Sequence, residues 1–206
     1  MTRIALARHG QTVWHDENRY AGRSDIDLTE TGVAQGRDLA AWASSAGVTS
    51  IASSTLRRAI RTAALSAETT RLTPGTDPRL VEIDFGRGEG LTISEMEATF
   101  PDAAASFRAR PATSPLPGGE DPASAAERFI DGLADLSDAD PTGLTLVVAH
   151  TTVIRLALCA LVGVPLDEYR RIFPALGNCT ITEIDFTPST RRAALLTLNA
   201  PPTPVG

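Results

Sequence analysis

The sequence predicts an α/β fold, on three observations. Two short apolar runs, Ile4-Ala5-Leu6-Ala7 and Leu144-Thr-Leu-Val-Val-Ala149, have the length and composition of strands buried on both faces. Stretches with helical spacing follow the strand-like runs, so the two kinds of element alternate along the chain. Each apolar run also ends abruptly in a histidine, His9 and His150, at the C-terminal strand end where open α/β sheets place their ligands.

Composition sets the bounds. The 206 residues suffice for one well-buried domain, and no Pro/Gly/Ser-rich linker divides them. The expectation is a single domain over 1–199 and a flexible tail over 200–206, which carries three prolines. A net charge of −6 argues against a nucleic-acid partner, because binding a phosphate backbone needs a clustered basic face. All 19 basic residues are arginine. Without lysine there is no P-loop, no Schiff-base or pyridoxal chemistry and no kinase. Three histidines without paired Cys or His spacing make a zinc site improbable, so no metal and no cofactor are expected. Cys159 and Cys179, each within an apolar run, read as reduced core residues. No apolar run reaches the roughly 18 residues of a membrane span, and the expected location is cytoplasmic, with no membrane partner. A homodimer is compatible with the sequence.

The first strand ends in Arg8-His9-Gly10, which sets a cation and an imidazole at a sheet edge. Gly10 lets the chain turn and is expected to bring backbone N–H groups toward a ligand. Residues 11 to 29 form a long polar loop with Gln11, Thr12, Trp14, His15, Tyr20 and Arg23, and loops of that length are usually functional. Asp25-Ile-Asp27-Leu-Thr29 matches a DxDxT phosphatase signature, but that chemistry needs its first Asp at the end of a buried strand. The preceding Asn18 to Ser24 cannot be one, so the match is a decoy and Thr29 is the N-cap of a helix over 31 to 46. Trp42 on that helix is core.

A strand around Thr49 to Ala52 follows, and Ser53-Ser54-Thr55 is placed to cap a helix through Thr62-Ala63. Arg58, near its first turn, is well placed to hold an anion, while Arg57 and Arg61 read as a solvated face. Residues 79 to 90 run extended into a glycine-punctuated loop with three acids, Glu82, Asp84 and Glu89. Glu82, flanked by Val81 and Ile83, is the most desolvated of these and so the candidate proton donor. A helix from Ile93 to Thr99 ends at Phe100-Pro101. The segment 103 to 119 is expected to be an excursion that, with Trp14, Tyr20, Arg23 and Phe85, walls the pocket. A helix from Pro122 to Leu136 leads back to the second buried strand and His150, after which Thr151-Thr152 cap the helix from Val153 to Val162. Residues 179 to 186 and 192 to 198 read as a closing antiparallel pair.

In this order the pieces resemble the histidine phosphatase superfamily, the phosphoglycerate-mutase-like family, over nearly the whole chain. Arg8-His9-Gly10-Gln11-Thr12 is similar to its RHG-[QE]-T signature, and Ser54-Thr-Leu-Arg-Arg58-Ala59 through Thr62-Ala63 to its S-x-L-x-R-A-x-x-T-A helix. Leu80-Val-Glu82, Gly86 and Glu89-Gly90 resemble its acidic loop, Pro117-Gly-Gly-Glu120 the segment before its penultimate helix, and Val147 to His150 with Val153-Ile-Arg155 its second histidine strand and helix. Two positions depart from the pattern. His15 stands where the family has Asn, and Thr151-Thr152 where Gly-Gly is common.

The resemblance implies a three-layer sandwich with a mostly parallel central sheet and helices on both faces. It implies a metal-independent, histidine acid-type phosphomonoesterase acting on a small phosphorylated metabolite. In that scheme His9 is the nucleophile, Glu82 the general acid and base, and His150 a third catalytic group. Arg8, Arg58, His15 and the Thr151 N–H bind phosphate, while Gln11, Thr12, Tyr20 and Arg23 form the substrate pocket. The alternatives are a mutase, which returns the phosphate to a sugar acid, and a phosphate-binding protein without turnover.

Overall fold

The computed structural model describes residues 1–204. Six strands form one sheet: β1 (Thr2–Arg8), β2 (Ser50–Ser53), β3 (Gly75–Thr76), β4 (Leu144–Ala149), β5 (Ile181–Thr187) and β6 (Arg192–Ala200). Seven helices connect them: α1 (Glu30–Ser45), α2 (Arg57–Thr70), α3 (Ile93–Thr99), α4 (Pro101–Ala109), α5 (Pro122–Ala139), α6 (Thr151–Val162) and α7 (Tyr169–Ile172). The strand order is β3-β2-β4-β1-β5-β6; the first four are parallel, and β5 and β6 close the sheet antiparallel.

The two apolar runs earn their central places by having no polar face. Alternate residues of β1 feed opposite cores. Ile4 and Leu6 join Phe129, Leu133 and Leu156 of α5 and α6 on one side, and Ala5 and Ala7 join Leu39, Trp42, Ala59 and Ala63 of α1 and α2 on the other. That is the three-layer arrangement. Small alanines on the second face let α1 and α2 lie close. The chain meets α1 tightly at Gly10, where a Cβ would fall 2.3 Å from the Gly32 carbonyl oxygen, so only glycine fits there. The Gly10 N–H goes to Thr62 Oγ1 at 3.1 Å, and is thus used for packing rather than aimed at a ligand as the sequence suggested.

Thr29 caps α1 as expected, accepting the Gly32 N–H. Elsewhere the ends differ. The N-cap of α2 is Leu56, not the Ser53-Ser54-Thr55 run before it, and α6 starts at Thr151 with His150 as N-cap, two residues earlier than expected. The excursion over 103 to 119 is helical in its first part, because Pro101 opens α4 rather than ending the helical region. Cys159 and Cys179 are buried free thiols, with pKa values pushed up to about 11 and about 12 by burial. Of the expected tail, Ala200 is still strand, paired with Ile181. Residues 205 and 206 lie outside the described residues. Among the described residues no helix is long and apolar enough to cross a membrane.

Candidate active site

Parallel pairing of β1 with β4 in the register Arg8↔Ala149 sets the two strand-end histidines side by side. The His9 N–H continues the ladder to the Ala149 carbonyl at 3.0 Å, and the His9 and His150 rings stand 5.1 Å apart, both buried. His9 Nδ1 lies 2.7 Å from the Gly10 carbonyl oxygen, which can only accept. The proton therefore sits on Nδ1, and Nε2 keeps its lone pair. Burial, followed by the Arg58 and Arg8 charges, holds the His9 pKa well below its usual value, so the ring is neutral at pH 7.

Arg58, fully buried at the start of α2, is fixed by the loop before α1. Its terminal nitrogens donate to the carbonyls of Ala21, Gly22 and Ser24 at 3.2, 2.8 and 2.7 Å. Its Nε–H is left to point between His9 Nε2 at 3.2 Å and His150 Nδ1 at 3.3 Å. Burial and Arg58 hold the His150 pKa well below its usual value too. His150 Nε2 is 2.7 Å from Ser54 Oγ, a contact that sequence reasoning, which cast Ser54 as a helix cap, did not find. Arg57 and Arg61 are exposed and pair with Asp25 and Asp27, which disposes of the DxDxT match as well.

Arg8 carries the clearest sign of a missing acceptor. One terminal nitrogen donates to the Leu176 carbonyl at 3.0 Å, but its buried Nε has no partner. Burial lowers its pKa to about 10. Its other terminal nitrogen lies 2.6 Å from His15 Nε2, where Asn178 Nδ2 also points, from 3.2 Å. The Thr12 N–H meanwhile points at His15 Nδ1, from 3.0 Å. A neutral imidazole accepts at only one nitrogen. Donors thus outnumber acceptors around His15, and an oxyanion in the cavity would restore the balance. Burial and then Arg8 lower the His15 pKa to about 4, so at pH 7 it too is neutral.

Opposite this cluster, Glu82 is buried but not in apolar surroundings. Oε1 accepts the Ile83 and Val153 N–H groups at 2.9 and 2.8 Å, and Oε2 the Thr152 N–H at 2.9 Å. Glu82 therefore caps α6 while facing the cavity. The Thr151 N–H, first of that helix, has no partner among the described residues.

These groups meet at a cavity of about 660 Å³, whose wall includes Arg8, His9, His15, Glu82 and Thr151, with Thr12, Trp14, Tyr20 and Phe85 around them. Arg58 and His150 are not on the wall; they lie against the His9 ring, Arg58 through its Nε–H to His9 Nε2. Two expected pocket residues lie elsewhere. Gln11 Oε1 is taken by the Thr29 hydroxyl at 2.8 Å, and Arg23 turns to Glu120 at 3.4 Å. Nor does 103 to 119 wall this cavity; Thr92, Ile93 and Ser94 of the α3 start, with Tyr169 and Arg170 of α7, take that place. Asn178 was also missed. Its Nδ2 donates to the His9 carbonyl at 2.8 Å, and the available signal was its place just before β5, which runs antiparallel from the end of β1.

Comparison with known proteins gives a consistent result. A family model described as the histidine phosphatase superfamily (branch 1) matches residues 4–199. A protein of Proteus mirabilis (strain HI4320) named probable phosphoglycerate mutase GpmB is 32% identical over 186 residues, covering 90% of this chain and 86% of that protein. Among solved structures, the mycobacterial glucosyl-3-phosphoglycerate phosphatase Rv2419c in complex with VO3 superposes with a TM-score of 0.88 at 30% identity, over 97% of this chain and 100% of that one. Bacillus stearothermophilus YhfR superposes with a TM-score of 0.88 at 26% identity, over 97% and 98%.

Proposed function

Given that the chain belongs to the histidine phosphatase superfamily, branch 1, we propose that it hydrolyses phosphomonoesters of small metabolites through a phosphohistidine on His9. The observation that carries this reading is the unprotonated Nε2 of a neutral, buried His9, its ring oriented by the Gly10 carbonyl and its lone pair met by the Arg58 Nε–H, on the wall of a cavity where the buried Arg8 Nε has no acceptor. Its neutrality matters because only the unprotonated nitrogen is a nucleophile.

In the first half-reaction Nε2 forms a bond to phosphorus as the phosphorus–ester oxygen bond breaks. Phosphorus takes the lone-pair direction that the Arg58 Nε–H now occupies, so that N–H passes to a phosphoryl oxygen. Arg8 Nε, His15, His150 and the Thr151 N–H are the other groups at hand for the spreading charge. A proton from Glu82 Oε2, which accepts only one N–H, goes to the leaving alkoxide. In the second half-reaction water gives its proton to Glu82 and its oxygen to phosphorus, the N–P bond breaks, and phosphate leaves.

A second reading, phosphoryl transfer back to a sugar acid, is favoured by the name of the Proteus mirabilis relative, a probable phosphoglycerate mutase. The phosphatase named for the Rv2419c structure, at similar identity, supports hydrolysis. One experiment separates the two. Brief incubation with a phosphate-labelled monoester and an alkaline quench should leave an acid-labile, base-stable label on His9, with free phosphate released in proportion to turnover. Label that passes to an added sugar acid, with no free phosphate, would establish the mutase; absence of label would overturn both.

A further inference from the structure

Glu89, one of the three acids of the segment 79 to 90, takes no part in the reaction above, yet its carboxylate is fully engaged. Oε2 accepts the Gly22 and Ser24 N–H groups at 3.2 and 3.3 Å and the Ser24 hydroxyl at 2.6 Å. Oε1 accepts the Arg23 and Phe85 N–H groups at 3.1 and 3.2 Å. All but one of these donors belong to residues 22 to 24, within the segment whose carbonyls hold Arg58.

The two charges meet the same peptide units from opposite sides. In a trans peptide the N–H and C=O point in opposite directions, and no peptide bond among the described residues is cis. The unit joining Ala21 to Gly22 gives its N–H to Glu89 and its carbonyl to Arg58, at 3.2 Å each. The unit joining Gly22 to Arg23 does the same, at 3.1 and 2.8 Å. Each peptide dipole thus runs between carboxylate and guanidinium and is polarised by both. Gly22 makes the approach possible, because a Cβ there would fall 2.1 Å from Glu89 Oε1 and 2.3 Å from the Ile83 carbonyl oxygen.

A buried cation that must receive an anion needs a counter-charge that does not touch it. Burial lowers the Arg58 pKa, and the Glu82 and Glu89 charges act against that shift. A carboxylate in direct contact would supply the charge but would occupy the donors and repel phosphate. Neither Glu89 nor Arg58 is in any of the twelve ion pairs among the described residues. With Glu89 one peptide unit away, the Arg58 Nε–H keeps its direction toward His9 Nε2.

We propose that Glu89 is a positioning residue for Arg58: through the two peptide units on either side of Gly22 it fixes the guanidinium and offsets its charge, so that the Nε–H is held where a phosphoryl oxygen arrives. This rests on the phosphomonoesterase reading of the cavity, which puts phosphate at His9.

The test is a double-substitution cycle read as affinity for inorganic phosphate, by calorimetry on the full-length chain, with the folding of each variant followed by thermal unfolding. Glu89→Gln turns an amide NH₂ against backbone N–H groups in either orientation and should weaken phosphate binding about tenfold. Arg58→Met should weaken it about tenfold or more. In the Arg58→Met background, Glu89→Gln should then cost no more than about twofold. In the Glu82→Gln background it should keep its effect, which separates action through Arg58 from a general loosening of the acidic loop. Ser24→Ala, which removes only the hydroxyl donor, and Arg58→Lys, which cannot span the carbonyls, replace Glu89→Gln and Arg58→Met where either fails to fold. Ser24→Ala should cost about threefold, again only while Arg58 is present. Phosphate affinity that Glu89→Gln leaves within about twofold would overturn the proposal, as would a loss that persists without Arg58 or disappears with Glu82→Gln. Phosphate release from the unsubstituted chain is followed in parallel. Release with an additive cycle defeats this proposal alone; the expected cycle without release defeats the hydrolase and leaves Glu89 in its role.

Discussion

Replacing Arg8 with methionine should make the empty protein more stable and the phosphate-bound protein less so. Burial lowers the Arg8 pKa from 12.5 to about 10, and at about 1.4 kcal/mol per tenfold in proton affinity that opposes folding by about 3 kcal/mol. Methionine fills much of the same space without the charge. It forfeits the bond to the Leu176 carbonyl, worth about 1.5 kcal/mol, so a net gain of roughly 1–2 kcal/mol remains. For a chain of 206 residues, each kcal/mol moves Tm by about 2–4 °C, and the ligand-free Tm should rise by about 4 °C. Phosphate then loses two charge-assisted donors, Nε and one terminal nitrogen. At about 1.5 kcal/mol each its affinity should fall roughly 10²-fold. Calorimetric unfolding with and without phosphate reads both effects. A lower ligand-free Tm together with unchanged phosphate affinity would refute the reasoning, since Arg8 would then be a structural tie and not an anion ligand.

His9→Ala should abolish turnover while phosphate affinity stays within about threefold, because the arginines and α6 remain; calorimetry and a phosphate-release assay check this, and loss of both together would contradict it. Glu82→Gln should lower kcat about 10²- to 10⁴-fold with phosphate affinity kept, and an unchanged kcat would remove Glu82 from proton transfer. Acid should destabilise the fold over a defined window: His9 and His150 have depressed pKa values in the folded chain and His15 one of about 4, against 6.5 when unfolded. Between those values the unfolded chain binds protons that the folded chain does not, so stability is full above pH 6.5 and falls as pH drops toward 4. Urea midpoints at several pH values measure it, and a midpoint that is flat or rises on acidification would contradict the assignment. Activity should survive dialysis against EDTA, since among the described residues no group of three or more His, Cys, Asp and Glu is gathered to hold a metal; loss restored by a divalent cation would contradict this.

The sequence announced what depends on local pattern. β1 and β4 were legible because a short apolar run of four to six residues, ended by polar residues, has the length of a doubly buried strand and not of a helix. Their pairing and register, Arg8↔Ala149, which bring His9 and His150 together, came from the structure. Gly10 was legible as special, but its reason lay in a distant partner, the Gly32 backbone of α1. α4 was hidden because Phe100-Pro101 reads equally as a stop for one helix and a start for the next, and the structure uses it as both. Gln11 and Arg23 had the chemistry of pocket residues, and only the tertiary neighbours Thr29 and Glu120 draw them away. Ser54 and Asn178 gain their roles from His150 and from His9 and His15, which lie far along the chain.

The account stands on one tetrahedral oxyanion being held between His9 and the unsatisfied donors around it. A crystal of this protein soaked with vanadate tests it most directly. The metal should bond to His9 Nε2 in trigonal-bipyramidal geometry, with Arg8 Nε and Arg58 Nε turned onto its equatorial oxygens and Glu82 beside the apical one. Vanadate bound away from His9, or Arg8 Nε still without a partner when the site is filled, would contradict it.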